Sequence, residues 1–348
     1  HAAGMPALIS ENEQGREREL SWPELRRQVA SLALHLQARG VQPGDRVAAY
    51  LPNIPETIIA LLACASVGAI WSVCAPDMGT GAVLDRFAQI EPKVLITVNG
   101  VRWAGKDVDR SGVVRELRAG LPSVEHVIGV HYLPGAEQVA DATPFDQATG
   151  RDDAGVAGFQ PLWLPFEHPL WVVYSSGTTG LPKPIVHSQG GIMLVSAAGS
   201  LNTDIGCSYA PNSLGERFCW YSSTGWMMWN FQVGGLLTGT TCVLYDGSPS
   251  GLRNKPDWST LWRFAARKRV SFLGVGAAFY SGCMKAGVDL AQCGDLSAVR
   301  ALGTTGSPLP PDVQRWGTEQ FRAIARTPVQ EDIWWFNISG GTDFAGGF

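Results

Sequence analysis

Leu25, Val29, Leu32 and Leu36 recur at the spacing of one helix face. Ahead of them, Ser21-Trp22-Pro23-Glu24 is a capping-box pattern. In such a box the Ser hydroxyl and the Glu carboxylate satisfy helix N–H groups that have no intrahelical partner. Gly40 supplies the stop, Pro43-Gly44-Asp45 a turn, and the apolar run 46–51 a short strand. The alternation continues with a helix over 56–67 and a strand over 69–73. Further strands are predicted over 94–98, 127–130, 171–175, 241–245, 270–275 and 333–338, and helical patterns fill 258–269 and 311–325. Strands alternating with helices predict an α/β fold: parallel sheets covered by helices, with too many strands for one small sheet. The Asp-, Gly- and Pro-rich segment 150–167 reads as a surface connection.

The chain has 348 residues, 45% of them apolar and 17% charged, with 41 Gly and 22 Pro spread along it. That composition excludes disorder, collagen and coiled coil, and the length predicts two domains or one large one. A formal charge of −4 gives no basic footprint for nucleic acid. Cys64, Cys74, Cys207, Cys219, Cys242, Cys283 and Cys293 include no Cys-x-x-Cys and no metal spacing to a His, so a reduced, cytoplasmic setting is the simplest reading. Residues 57–76 are uncharged and long enough to span a bilayer, but their Ala, Ser, Cys and Gly content and acidic flanks fit a buried helix running into a buried strand. No membrane segment and no signal sequence is expected.

The sharpest chemical signal is Tyr174-Ser175-Ser176-Gly177-Thr178-Thr179-Gly180-Leu181-Pro182-Lys183. An apolar strand runs into a loop of Gly, hydroxyls and one Lys. Gly lets backbone N–H groups approach an anion, hydroxyls donate to phosphate oxygens, and Lys neutralises charge. The spacing is not that of a Walker A loop, which weakens a kinase or GTPase reading. The plainer alternative is a polar, hairpin-like turn with a solvated Lys.

That loop resembles the signature of the adenylate-forming enzymes: acyl-CoA synthetases, luciferases and peptide-synthetase adenylation domains. The likeness extends to Trp220-Tyr-Ser-Ser-Thr-Gly-Trp226-Met-Met-Trp-Asn230 and Leu244-Tyr-Asp-Gly-Ser-Pro249, similar to the acyl-substrate region of short-chain members. Leu302-Gly-Thr-Thr-Gly306-Ser307-Pro308 resembles the adenine-binding turn. Ile338-Ser339-Gly340-Gly341-Thr342-Asp343 resembles the segment that meets phosphate and magnesium. Within the family, Thr224-Gly-Trp-Met-Met-Trp-Asn230, Ser307-Pro-Leu-Pro310 and Ser339-Gly-Gly-Thr-Asp343 depart from the acetate-activating wording and resemble the acetoacetate-activating branch.

The resemblance implies two parallel-sheet lobes of a large N-terminal adenylation domain, one over about 41–205 and one over about 1–40 plus 206–348. It implies ATP, Mg²⁺ and CoA as reaction partners, small-molecule substrates, no nucleic acid or membrane, and a place in cytoplasmic lipid metabolism. An acid would attack the α-phosphate of ATP to give an acyl-adenylate and diphosphate, and the CoA thiol would then attack the acyl carbon. By the same resemblance Thr178, Lys183, Thr342 and Asp343 are catalytic, with Asp343 at the metal. Ser175, Ser176, Gly177, Thr178, Thr179, Gly180, Lys183, Gly306, Ser307, Pro308, Ser339, Gly340, Gly341 and Thr342 bind the nucleotide. Trp226 and Asn230 line the acyl pocket. Competing readings make Thr342 and Asp343 a helix cap, Trp226 core packing, Asn230 a satisfied buried amide and His187 a structural polar group. Family members continue into a small β-barrel subdomain and a C-terminal domain carrying a further Lys, and both are expected to be missing here. Alternative functions are a ligase for acetate or propionate and a nucleotide-binding fragment without catalysis.

Overall fold

A computed structural model describes residues 4–175, 180–206, 215–324 and 332–347. Ser21 does cap the first helix, α1 (Trp22–Ala38): its side chain accepts from the Glu24 N–H, and Leu25, Leu32 and Leu36 are buried. The chain returns as strand β3 after β1 (Pro6–Asn12) and β2 (Glu17–Ser21), and continues through β3 (Arg46–Tyr50), β4 (Ile70–Cys74), β5 (Val94–Val98), β6 (His126–Val130), β7 (Thr143–Pro144), β8 (Pro169–Ser175) and β9 (Lys183–Ser188). Then follow β10 (Arg217–Trp220), β11 (Thr241–Asp246), β12 (Phe272–Gly276), β13 (Ala301–Thr305) and β14 (Trp334–Asn337).

These strands form two seven-stranded sheets, ordered β14-β13-β12-β10-β11-β1-β2 and β9-β8-β4-β3-β5-β6-β7. Neighbours pair in parallel except at one edge of each sheet, where β2 runs against β1 and β9 against β8. This is the α/β architecture that the alternation predicts. Every residue of β5 is buried, as a parallel strand covered on both faces requires. The uncharged window 57–76 is helix α2 (Pro55–Ser66) followed by β4, and no helix among the described residues is long and apolar enough to cross a membrane. One apolar cluster takes Leu8 and Leu244 from the first sheet, Val47 and Ile96 from the second, and Leu32, Ile58 and Ile59 from α1 and α2. The two sheets therefore share a core.

Several elements escape the hydrophobic pattern. β13 is a strand where the sequence suggests only a turn, and its Gly303 has a packing reason. A Cβ at Gly303 would lie 2.5 Å from the Trp220 ring, and one at Gly274 of β12 would lie 2.2 Å from it. Trp220, fully buried, lies across both strands. β9 has a polar edge and a proline, and α3 (Gln189–Asn202) carries two glycines in its first turn, so neither shows an apolar period.

Candidate active site

The described ends of the Tyr174–Lys183 motif are the end of β8 and the start of β9, an antiparallel pair at the sheet edge. β8 and β9 pair in register from Trp171–His187 to Ser175–Lys183. Ser176, Gly177, Thr178 and Thr179 lie outside the described residues. Gly180 has φ +125°, which L side chains rarely adopt, and its Cβ position is open. Lys183 is exposed, with no carboxylate partner among the described residues. It opens a strand, whereas the lysine of a Walker A site opens a helix. The hairpin is braced from outside: Tyr174 donates its hydroxyl to the Arg86 carbonyl at 2.9 Å, and Gln89 donates to the Pro182 carbonyl at 2.9 Å.

The other motif segments follow the C-terminal ends of strands. Gly306, with φ +90°, turns the chain at the end of β13, and Ser307 and Pro308 after it are exposed. The Trp226 ring passes 3.7 Å from the Cβ position of Gly306. Trp226 is 59% exposed at the N-terminus of helix α4 (Met227–Gly234), so it is not core packing, whereas Trp220 and Trp229 are fully buried. Asn230, inside α4, is buried. The approach to α4 is tied to the other sheet: Thr224 donates to the Leu51 carbonyl at 2.8 Å and the Trp229 indole to Asn53 Oδ1 at 2.9 Å. The second sheet thus fixes the segment that carries Trp226.

Residues 338–347 form the remaining piece. Its root is held to β13, where the Ile338 N–H donates to the Thr304 carbonyl at 3.0 Å and the Thr305 hydroxyl to the Ile338 carbonyl at 2.8 Å. Gly340 and Gly341 then pair antiparallel with Gly346 and Gly347. A Cβ at Gly340 would lie 2.4 Å from the Gly346 carbonyl oxygen, so the hairpin needs glycine there. Thr342 and Asp343 stand in the turn of this hairpin and cap no helix; Ser339 and Asp343 are exposed. His187 of β9 reaches them, its Nε2 lying 3.1 Å from the Asp343 carbonyl oxygen while its Nδ1 accepts from the Trp171 indole at 2.9 Å. Thr224 and Thr305 lie inside the quoted motifs without being singled out there, and Trp171 takes part in this assembly with no motif signal to announce it. A cavity of about 350 Å³ adjoins it, lined by His187, Ser188, Val186, Ile192, Glu167 and Phe344 among others; of the residues singled out from sequence it contains His187 alone.

The Leu244–Pro249 stretch sits elsewhere, at the seam between the sheets. Tyr132 donates its hydroxyl to Asp246 Oδ2 at 2.7 Å, and burial pushes the Asp246 carboxyl up to about 7 against that bond. Glu13 beside it accepts from the N–H groups of Ala104, Gly105 and Ser248.

The model of the AMP-binding enzyme family matches residues 1–331. An acetoacetyl-coenzyme A synthetase of Rhizobium meliloti (strain 1021) is 40% identical over 98% of this chain and 50% of its own length. An acetoacetyl-CoA synthetase of Xenopus tropicalis is 34% identical over 97% of this chain and 49% of its own. The solved structure of an acetoacetyl-CoA synthetase from Streptomyces lividans superposes with a TM-score of 0.90 at 49% identity, covering 100% of this chain and 51% of that one. The chain spans about half the length of the relatives it matches.

Proposed function

The chain belongs to the AMP-binding enzymes, and from that premise we propose that the whole protein is an ATP-dependent acetoacetate–CoA ligase. It would convert acetoacetate, ATP and CoA to acetoacetyl-CoA, AMP and diphosphate through an acyl-adenylate. The observation that carries this reading is a convergence. The β8–β9 hairpin meets the Thr342–Asp343 turn through His187, and Trp226 meets the Gly306 turn. The strands' C-terminal ends are where open α/β sheets take ligands. The relatives' names supply the acid.

In this reading Ser175, Gly180 and Lys183, with Ser176, Gly177, Thr178 and Thr179 on sequence alone, hold the phosphates. Gly306, Ser307 and Pro308 receive the adenine, and Ser339 to Thr342 border the α-phosphate. Charge builds on phosphate oxygens during adenylation, so the work of these groups is positioning and electrostatic stabilisation. Trp226 walls the acyl group and Asn230 meets its ketone. Among the described residues no group of three or more His, Cys, Asp or Glu is arranged to hold a metal ion. One exposed carboxylate, Asp343, fits Mg²⁺ that arrives with ATP, since that ion is usually held by one or two carboxylates plus substrate phosphates. The ion would neutralise phosphate charge. A reduced, cytoplasmic setting agrees with Cys64, Cys74, Cys219, Cys242, Cys283 and Cys293 all being free and buried.

The test is product analysis of the complete protein with ATP, CoA and a panel of acids. AMP and acetoacetyl-CoA formed fastest with acetoacetate support the reading. A higher kcat/KM for acetate or propionate would move it to the neighbouring branch, and ADP in place of AMP would end it.

A further inference from the structure

We propose that His187 is a positioning residue for the phosphate end of this site. Held in one tautomer by Trp171, it pins the Asp343 carbonyl and so sets the Thr342–Asp343 turn against the hairpin that carries Lys183. This rests on the ligase reading for its catalytic consequence but on geometry alone for the pin.

An indole N–H only donates, so Nδ1 of His187, 2.9 Å from Trp171 Nε1, must be the bare nitrogen. The ring proton is thereby assigned to Nε2, which donates to the Asp343 carbonyl at 3.1 Å. The two rings also meet edge to face, with centroids 6.3 Å apart at 87°. Trp171 is itself buried and pairs with Trp71 of β4, so the anchor belongs to the rigid interior of the second sheet. Strand alternation places His187 on the same face of β9 as Lys183, four residues away. One strand face therefore presents both the phosphate-loop lysine and the group that holds the opposite wall.

That wall needs a hold. Its two short strands are Gly340-Gly341 and Gly346-Gly347, and glycine surrenders more backbone freedom on ordering than any other residue. Thr305 and Thr304 fix the root at Ile338, Ala345 packs against the apolar core, and His187 adds a hydrogen bond at the tip itself. A histidine that merely satisfied its own polar atoms at a sheet edge would affect stability without affecting the rate of adenylation.

The test uses the complete protein with His187→Ala, His187→Asn and His187→Gln, assayed by acid-dependent exchange of labelled pyrophosphate into ATP per active site. A glutamine amide can place its NH2 where Nε2 stands and so keep the donor toward Asp343. Asparagine reproduces only the acceptor toward Trp171. Ala and Asn are expected to lower kcat about tenfold, within the range of one hydrogen bond, with the acetoacetate KM unchanged, while Gln retains most of it. Amide hydrogen exchange over 340–347 is expected to speed up in Ala and Asn but not in Gln. Unaltered kcat and unaltered amide exchange in Ala and Asn, or an equal loss in all three variants, overturns the proposal. If the unmutated protein shows no acid-dependent exchange, the ligase reading fails, and amide exchange alone then decides whether the pin exists.

Discussion

Asp343 stands exposed at the tip of a glycine hairpin, where its carboxylate has no helix to cap. Asp343→Asn keeps size and hydrogen bonding while removing charge, so the complete enzyme is expected to need more Mg²⁺ for half-maximal adenylation. A titration of rate against Mg²⁺ checks this, and an unchanged midpoint removes Asp343 from the metal. Lys183→Ala should weaken ATP binding roughly ten- to hundredfold, the range of hydrogen bonds to charged groups, as read from the KM for ATP. In the proposed acyl pocket, a site built to bond a ketone would discriminate against an analogue without it. Asn230→Leu is therefore expected to narrow the preference for acetoacetate over butyrate by about tenfold, and an unaltered preference contradicts its role. Loop chemistry and family wording mark Lys183, Trp226, Asn230 and Asp343 as candidates in the sequence. The bonds of His187 and Thr305 are not legible, because each partner is far away in sequence: His187 and Asp343 are 156 positions apart, Thr305 and Ile338 33. Local pattern carries no trace of such a pairing.

At the scale of elements, Trp220 shows what periodicity reads and what it misses. Its ring occupies the space beside Gly274 and Gly303, so β12 and β13 depend on glycines that a strand pattern counts against them. Gly303→Ala is expected to cost about 1–3 kcal/mol by overpacking, measured by denaturant unfolding. Combined with Trp220→Phe the loss should fall short of the sum of the two, because the residues share one contact. Helices α1 and α2 and strands β3, β4 and β5 were plain from sequence because each buries a continuous apolar face. Edge strand β9 buries little, so it left no such signal.

For the whole molecule, the seam between the sheets combines an apolar core with a half-buried polar contact. Asp246 of the first sheet accepts from Tyr132, beyond β6 of the second, and burial holds its carboxyl near 7, far above the ordinary value of about 4. Between those values the folded state keeps a proton that the unfolded chain has released, so stability falls as pH rises from about 4 to about 7, by up to about 1.4 kcal/mol per pH unit from this group. Asp246→Asn should flatten that fall in unfolding experiments across the range, and an identical slope in the variant contradicts the burial of a protonated Asp246. The same seam ties Thr224 and Trp229 to Leu51 and Asn53, which sets Trp226 over Gly306. The central claim, that this convergence serves acyl-adenylate formation, is tested most directly by exchange of labelled pyrophosphate into ATP without CoA. The account predicts that the complete protein catalyses this exchange when acetoacetate is present and not when it is omitted. Exchange that no acid stimulates, or none at all from folded protein that binds ATP, would contradict it.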